Sequence, residues 1–548
     1  MNSRLIISFF LFAIIFGCAT ITTPTGGPKD AKKPYITVSI PTDNSKNFSG
    51  KSVILTFDEP VKLNNPKDEI IISPSPGKRE ITVRGNAVTI TPENGWLENT
   101  TYSIFPREGI QDITESNPAD SSKLAFSTGP EIDSMFVFGK ITNLLTGSIP
   151  EKITVGLYQQ DTFDIFSDTS RYFTKADKKG RFKIENIKPS VYKIYAFDDK
   201  NKNLRIDSRT EKFGYLLDSI DLRETSINDS IKVGLMMLDS RPLKITTIRN
   251  TGILTRLRFN KASSSYTIQT EADITHAYGD NQAEVLMYVP PESTDSLKVT
   301  FHATDSILST LDSTFYVKKN NIKLFKTEFK TSLGKPTLDS ETLLFKTVMS
   351  FNKPINTINF DSIYIQVDTT SRISITKDDI TIDPVYKILR IEKKMNKELI
   401  IQPKDSTGKE LPSPQLTLRV RNNAFLSIEG DSSKRISEVI PVTRYNDTGT
   451  LLIELQTDEK DFIIELLTRD FAVVRTLRNE KKYTFKNLTP GDYQIRITVD
   501  TNKNGKWDPG SFVKHIAPEQ IIFYKTSQGR QSVPLRANWE LGPLIIRF

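Results

Sequence analysis

The sequence predicts an all-β protein built from tandem β-sandwich domains. Apolar and polar residues alternate over short runs bounded by Gly, Pro, Asn and Asp, which is typical of half-buried strands. Long amphipathic helical patterns are absent, so we expect far less helix than the usual third of residues. At 548 residues the chain is too long for one hydrophobic core, and about three to five domains are expected.

The first part of the chain predicts export and a lipid anchor. The apolar run Leu5–Phe16, interrupted by Ser8, is too short to span a bilayer, but it has the length of a signal-peptide core. It leads into Cys18, the one cysteine of the sequence, which cannot form an internal disulfide. We therefore predict a signal peptide at residues 1–17. Residues 18–33 are small and polar and predict a flexible tether.

Strand patterns are clearest in the segment that follows the tether. Each predicted strand is short and is flanked by turn-forming residues. The predicted strands are SVILTF (Ser52–Phe57), the pair ITV and AVTIT on either side of Arg84-Gly85-Asn86, YSIF from Tyr102 and LAFST from Leu124. Evenly spaced strands with polar turns predict a sandwich.

Two internal repeats divide the chain. Ile184–Asp207 matches Phe485–Asp508 without a gap, which predicts two copies of one domain. The recurring residues are Asn186, Pro189, Tyr192, Ile194, Asp199, Asn201, Asn203 and Asp207 in the first copy, and Asn487, Pro490, Tyr493, Ile495, Asp500, Asn502, Asn504 and Asp508 in the second. A weaker repeat pairs FDEPVKL from Phe57 with FNKPINT from Phe351. Its Phe-x-x-Pro spacing is common, so either a true repeat or coincidence is compatible with it.

Several motifs resemble a family of envelope lipoproteins of Bacteroidota. Cys18 after Ile-Phe-Gly resembles a lipobox, and TGGPKD, FDEPVKL, IISPSP, NTTYSI and the closing FSTG resemble an SbsA-type Ig-like domain. The repeats, with Gly180, Phe182, Asn186 and Tyr192, resemble prealbumin-like sandwiches of the carboxypeptidase-regulatory or Cna-B kind. Ser190 departs from that pattern, because a Gly is usual there.

The resemblance implies an acylated Cys18 and an outer-membrane lipoprotein on the periplasmic or cell-surface face. It also implies envelope or outer-membrane proteins as partners, in outer-membrane protein assembly or surface display. Combined with the repeats, it predicts five domains. They are an SbsA-type Ig-like domain at 34–130, a prealbumin-like sandwich at 131–240, a β-sandwich at 241–325, an Ig-like sandwich at 326–445 and a prealbumin-like sandwich at 446–548.

Residue types that carry catalysis are sparse, so we predict that the protein is not an enzyme. His276, His302 and His515 lie far apart and lack the spacing of a zinc site or a catalytic triad. Asp58 and Glu59 are neighbours on a predicted strand and would point to opposite faces. We interpret them as a polar strand end.

The Asp/Asn segments of the two repeats allow a weak calcium site or a structural turn. Asp500, Asn502, Asn504 and Asp508 match early ligand positions of an EF-type loop, with Gly505 at its glycine position. The twelfth position lacks the bidentate Glu, because Ser511 stands there and Thr210 stands in the first copy. Asp and Asn also close tight turns on their own. We favour the turn, and expect no other cofactor.

Asp-Ser followed by an apolar residue recurs along the chain. The pattern resembles the O-glycosylation signal of exported Bacteroidota proteins, and it also fits a turn just before a strand. Neither interpretation is preferred. The candidate serines are Ser134, Ser219, Ser230, Ser296, Ser306 and Ser362.

Charge and aromatic content leave two classes of function. The net charge of +8 is spread along the chain, which predicts solubility and a mild attraction to anionic lipid or polysaccharide. Nucleic acid is not expected, because the chain is exported and lacks a recognition motif. We favour a lipid-tethered rod of sandwiches that acts as a non-catalytic scaffold. The alternative is a glycan- or polymer-binding surface lipoprotein, although Trp96, Trp507 and Trp539 are dispersed and fit core or corner positions.

Overall fold

The computed structural model confirms the all-β tandem sandwich class. Its helices are a short α-helix, α1 (Pro66–Glu69), and two 3-10 turns, Phe360–Ser362 and Lys377–Asp379, within the described residues. None of these helices is long and apolar enough to cross a membrane. The structure describes residues 30–120, 123–159, 163–227, 230–290, 296–320, 322, 327–339, 342–397, 406–407, 415–443, 448–512 and 514–548. Cys18 and the predicted signal peptide lie outside these residues.

The first sandwich contains two facing sheets and a short pair of strands. Its strands are β1 (Ile36–Ile40), β2 (Val53–Phe57), β3 (Val61–Leu63), β4 (Ile71–Ser73), β5 (Arg79–Arg84), β6 (Ala87–Pro92), β7 (Thr101–Phe105), β8 (Ile110–Asp112) and β9 (Leu124–Ser127). The sheet orders are β1-β2-β6-β5 and β4-β7-β9, with β3 paired to β8. Alternate residues of β2 and β6 enter the core, as the sequence pattern predicts.

The second sandwich pairs a three-stranded sheet with a larger one. Its strands are β10 (Met135–Asn143), β11 (Thr154–Gln159), β12 (Tyr172–Lys175), β13 (Arg181–Ile187), β14 (Val191–Phe197), β15 (Phe213–Tyr215), β16 (Ile220–Asp221) and β17 (Ile231–Leu235). The orders are β13-β10-β17 and β12-β11-β14-β15, with β16 also on β14. Strands β10 and β17 run parallel, whereas the other pairs are antiparallel.

The third sandwich has the sheets β18-β19-β22-β21 and β20-β23-β24. Its strands are β18 (Ile245–Thr251), β19 (Leu254–Phe259), β20 (Ser265–Thr270), β21 (Thr275–Tyr278), β22 (Glu284–Tyr288), β23 (Leu297–Thr304) and β24 (Thr310–Val317). Phe301 lies at the centre of its core and stacks on Phe259 and Tyr266.

The fourth sandwich shares its central strand pairs with the first. Its strands are β25 (Thr331–Leu333), β26 (Thr337–Asp339), β27 (Leu344–Phe351), β28 (Ile355–Ile358), β29 (Ile363–Gln366), β30 (Arg372–Ser374), β31 (Ile380–Asp383), β32 (Ile388–Lys394), β33 (Thr417–Val420), β34 (Phe425–Ser427), β35 (Ile436–Val439) and β36 (Val442–Thr443). The pairings β27·β32, β28·β34 and β29·β33 correspond to β2·β6, β3·β8 and β4·β7. The Phe-x-x-Pro segments are the bends after β2 and β27, so the weaker repeat reflects a shared topology.

The fifth sandwich repeats the second strand for strand. Its strands are β37 (Gly449–Gln456), β38 (Phe462–Thr468), β39 (Val473–Arg478), β40 (Lys482–Leu488), β41 (Gly491–Val499), β42 (Ile521–Phe523), β43 (Val533–Leu535) and β44 (Glu540–Arg547). The orders are β40-β37-β44 and β39-β38-β41-β42, with β43 also on β41. Strands β37 and β44 are parallel, as are β10 and β17.

Two recurring residues explain why the repeat is visible in the sequence. Asn186 and Asn487 both have positive φ, 57° and 56°, a conformation that Asn tolerates better than most residues. Each is the next-to-last residue of the strand before the central one, Asn186 in β13 and Asn487 in β40. In both copies a tyrosine hydroxyl of the central strand donates to the backbone carbonyl four residues earlier. The distances are 2.8 Å from Tyr192 to Lys188 and 2.6 Å from Tyr493 to Thr489.

The second and fifth sandwiches pack against each other. Phe512 of the fifth lies in an aromatic cluster with Phe166, Tyr195 and Tyr215 of the second, at ring-centroid distances of 6.3, 6.0 and 5.2 Å. Ile307 of the third sandwich packs into the same cluster. The predicted rod is therefore wrong, because apolar burial between the two repeats folds the chain back on itself.

The third and fourth sandwiches are joined by buried polar contacts. Lys387 is buried, and its Nζ donates to the carbonyl of Gly279 at 2.7 Å and to that of Tyr278. The Tyr288 hydroxyl donates to Glu429 at 3.0 Å. Burial lowers the pKa of the Lys387 ammonium, and the nearby charges of Asp280 and Glu284 partly oppose that shift.

Candidate functional site

The Asp/Asn segment of the fifth sandwich is a turn closed by its own side chains. The Asp500 carboxylate accepts the amides of Asn504 at 3.0 Å and Gly505 at 2.8 Å, and Asn502 Oδ1 accepts the Asn504 amide at 3.1 Å. Both Asn502 and Asn504 donate side-chain N–H groups to Asp508 Oδ2. The loop lies between β41 and β42, where the sequence predicts a turn.

Each loop is completed by a buried glutamate that lies outside the sequence repeat. Glu519 is buried and accepts the amides of Thr501 at 2.8 Å and Asp508 at 3.0 Å. In the second sandwich Glu211 is buried and accepts the amides of Lys200 at 3.0 Å and Asp207 at 2.9 Å. The two glutamates stand at different distances along the chain from their loops, so the repeat alignment does not reveal their equivalence.

The first-copy loop has the same backbone hydrogen bonds to its leading Asp, with a different residue at the tight position. Asp199 accepts the amides of Asn203 at 2.9 Å and Leu204 at 3.1 Å. Leu204 takes φ +59°, where Gly505 takes +77°. Asp199 is half-buried and Glu211 is buried, and this burial raises the pKa values of both carboxyl groups.

We expect calcium to have little effect on these loops. Within the residues described, no group of three or more His, Cys, Asp or Glu side chains is placed to hold a metal ion. A site of millimolar affinity would add only about 0.4 kcal/mol when calcium equals its dissociation constant. Thermal unfolding of the full chain should therefore be unchanged between millimolar calcium and chelator. A clear upward shift with calcium that Asp500→Ala abolishes would contradict this.

The histidines and the acidic pair occupy separate structural positions. His276 accepts or donates a hydrogen bond at Nδ1 with the Tyr266 hydroxyl at 3.0 Å, and burial lowers its pKa. His302 pairs with Asp312 across β23 and β24 at 2.7 Å. His515 is exposed. Asp58 accepts the Tyr35 amide at 2.9 Å, so it fixes the entry of the first strand.

Two of the three tryptophans are packed and one is exposed. Trp96 makes edge contacts with Tyr102 and Phe126 in the first core. The Trp507 indole donates to the Glu519 carbonyl at 3.1 Å and packs beside the Phe512 cluster. Trp539 is 40% exposed, and the Arg536 guanidinium lies 5.0 Å from its ring centre.

The Asp-Ser sites differ in their accessibility. All but Ser306 directly precede a strand, and Ser306 lies in the turn between β23 and β24. Ser134, Ser230, Ser296 and Ser306 are exposed, and Ser219 is half-buried. Ser362 is buried, so the folded domain does not present its hydroxyl to a glycosyltransferase. Glycosylation of the accessible serines stays a prediction.

An open cleft of about 1020 Å³ separates the first and second sandwiches. Its walls carry both signs of charge, including Arg79 and Lys175 as well as Asp68 and Asp199. Lys202 forms an ion pair with Asp68 across the junction. Burial lowers the pKa values of Arg79 and Lys175, and the opposite charges within the cleft largely neutralise one another.

The first sandwich is similar to bacterial Ig-like domains. Residues 30–128 match the family model described as "Bacterial Ig-like domain", which agrees with the predicted Ig-like class. Residues 442–515, most of the fifth sandwich, match the family described as "Uncharacterized protein conserved in bacteria". No curated protein matches the sequence.

Two solved structures align with much of the chain at low similarity. The major pilin subunit BcpA of Bacillus cereus is 11% identical, with a TM-score of 0.13, over 76% of this chain and 99% of that chain. The protein SGBP-B of the Bacteroides ovatus mixed-linkage glucan utilization locus, in complex with a heptasaccharide, is 10% identical, with a TM-score of 0.15, over 74% and 95%. With TM-scores this low, neither match carries information on ligands or assembly.

Proposed function

We propose that the protein is a non-catalytic scaffold of the cell envelope, anchored in the outer membrane through acylated Cys18. The observation that carries this proposal is the cluster around Phe512, which fixes the fifth sandwich against the second and third. A scaffold must hold its docking surfaces at constant separations. Interfaces between domains that bury aromatic and apolar side chains provide such constancy, whereas small polar interfaces permit relative motion.

Buried hydrogen bonds join other neighbouring sandwiches, and opening these junctions would leave buried polar groups without partners. The Phe173 amide donates to the Ser73 hydroxyl at 3.1 Å between the first and second sandwiches, in a buried position. Buried Lys387 joins the third to the fourth. Outer-membrane proteins engaged in assembly or surface display are the partners that this scaffold would dock, on the periplasmic or the cell-surface face.

Membrane fractionation and affinity capture test this proposal together. The full chain, tagged at its carboxyl end, should fractionate with membranes and should retain outer-membrane proteins in stoichiometric amounts after detergent extraction. Cys18→Ser is the matched variant, because it removes the acylated residue and leaves the sandwiches intact. It should lose the membrane fraction or stay as a precursor. Recovery of polysaccharide alone, or a mature Cys18→Ser chain that stays on membranes in high salt, argues against the proposal.

A second candidate function, glycan or polymer binding, is favoured by Trp539. Its ring is exposed on the fifth sandwich, and Arg536 lies over it. The indole face that Arg536 does not cover would be a platform for a sugar ring, because both surfaces are apolar in the middle and polar at the edge. The same affinity capture discriminates the two candidates through the material that is recovered.

A further inference from the structure

A second cleft, of about 640 Å³, lies between the two repeated sandwiches. Its volume is in the range of small-molecule sites. One wall is the outer face of the sheet that holds β10 and β17, and the other wall is formed by β42 and β44. The loop after β10 closes one side, where Arg496 of the fifth sandwich donates to the carbonyl of Leu145 at 2.8 Å. The two repeats are therefore held at a fixed distance across the cleft.

The charged groups that line this cleft are all cationic. They are Lys140, Lys232, Lys525 and Arg547, and no carboxylate is among the described residues of the lining. None of the four forms an ion pair with the described part of the chain, and Arg547 is held by Gln456 at 2.8 Å. This distinguishes the cleft from the one between the first and second sandwiches, where opposite charges meet.

Two of the cations are direct neighbours. Lys140 and Lys232 are register partners on parallel strands, so both side chains leave the same face of the sheet. Adjacent strands are only about 4.8 Å apart, and like charges at such positions repel each other. Neither lysine has a carboxylate to offset that repulsion in the described structure. A bound anion would remove it.

The uncharged groups of the cleft fit a sugar. Thr142, Ser230 and Gln531 line it, and their side chains make no hydrogen bond to the residues described. Phe523 provides half-buried aromatic surface beside them. Hydroxyl and amide groups next to an aromatic ring match the alternation of hydroxyls and apolar ring face in a pyranose.

We propose that this cleft binds an acidic oligosaccharide, with the carboxylates of the sugar on Lys140, Lys232, Lys525 and Arg547. A concave site between two domains suits a short chain of sugar rings better than a flat bilayer surface, which cannot reach into it. This inference goes beyond the scaffold function and does not rest on it. It also concerns a place other than Trp539.

Calorimetric titration of the full chain in detergent tests the inference, with tetragalacturonate as the acidic probe and cellotetraose as the neutral one. We expect tetragalacturonate to bind, cellotetraose to give no signal, and the affinity to fall as salt is added. Lys140→Gln, Lys232→Gln and Lys525→Gln should each weaken binding about tenfold, since each removes one charged contact. The triple variant should show no measurable binding.

The matched control removes three lysines elsewhere. Lys188, Lys298 and Lys318 are exposed and lie away from the cleft, so the triple change to Gln should leave the affinity within about twofold. The inference is overturned if tetragalacturonate does not bind, if cellotetraose binds equally well, or if the control triple loses as much affinity as the cleft triple. A parallel measurement uses phosphatidylglycerol vesicles in place of the sugar. The inference is also overturned if the wild-type chain binds these vesicles and the cleft triple variant loses only that binding, because the site would then serve a lipid headgroup.

Discussion

Lys353→Met should lower the stability of the fourth sandwich by about 3–5 kcal/mol. The Lys353 side chain is 3% exposed, and its Nζ lies 2.7 Å from both Glu429 Oε2 and Asp431 Oδ2. It also donates to the carbonyl of Thr327 at 2.6 Å. Removal of the cation leaves two carboxylates close together, of which Glu429 is itself buried. Urea unfolding and calorimetry of the full chain measure the loss in the free energy of unfolding.

Two companion variants separate a buried charge from lost packing. Lys346→Met removes an exposed pair with Glu392, at 3.0 Å, and should cost no more than about 1 kcal/mol. Addition of Glu429→Gln and Asp431→Asn to Lys353→Met should restore most of the lost stability, because no unpaired charge is then left. A Lys353→Met loss no larger than that of Lys346→Met would contradict the buried cluster.

The cost of Lys353→Met should also depend on pH. Burial tends to raise the pKa of Asp431, but Lys353 and Ser427 outweigh it and leave that pKa below its ordinary value of 3.8. The carboxylate therefore stabilises the fold above about pH 4. That stabilisation is lost as the pH falls through its folded pKa. For Lys353, burial is likewise outweighed by Asp431 and Glu429, and the pKa is raised above 10.5. The difference between wild type and variant should be full at neutral pH and shrink in acid.

Phe512→Ala should release the fifth sandwich from the second. The ring contacts Tyr215, Tyr195 and Phe166, and its burial with the aromatic contacts contributes about 2–4 kcal/mol to docking. Each sandwich has its own core, so the domains should stay folded while the interface opens. Small-angle scattering should show a larger radius of gyration, and hydrogen exchange should rise in β14 and β15.

Ile516→Ala is the control for this change. Ile516 lies in the same loop, but it is 43% exposed and is not part of the cluster. Its removal should leave both scattering and exchange as in the wild type. If Phe512→Ala also left the scattering unchanged, the cluster would not be what holds the two repeats together.

The strands could be predicted from the sequence because their signal is local. Alternation in SVILTF indicates which side chains face the core, and Asn186 and Asn487 recur because the same positive-φ position near the end of a strand favours Asn. Contacts between domains have no such signal. Nothing in the local pattern around Phe512 indicates that Tyr215 lies beside it, since the two are brought together only when both domains have folded.

Several residues of the candidate sites also have no local signal in the sequence. Lys140 and Lys525 are far apart in the sequence, and each is an ordinary exposed lysine until the repeats pack. Lys353 is the third residue of a Phe-x-x-Pro segment. Its burial depends on Glu429 and Asp431, which lie in the turn after β34. Glu519 closes its loop after a longer insertion than Glu211 does, so the spacing differs between the copies.

The contact between the two repeats also determines how the chain transmits mechanical tension. A pull between the first and fifth sandwiches enters the second and crosses directly into the fifth through the cluster around Phe512. The third and fourth sandwiches lie on a parallel, longer route along the polypeptide. The polypeptide through them takes the pull when the cluster yields, and its extra length then lets the two repeats move apart before any core has to unfold.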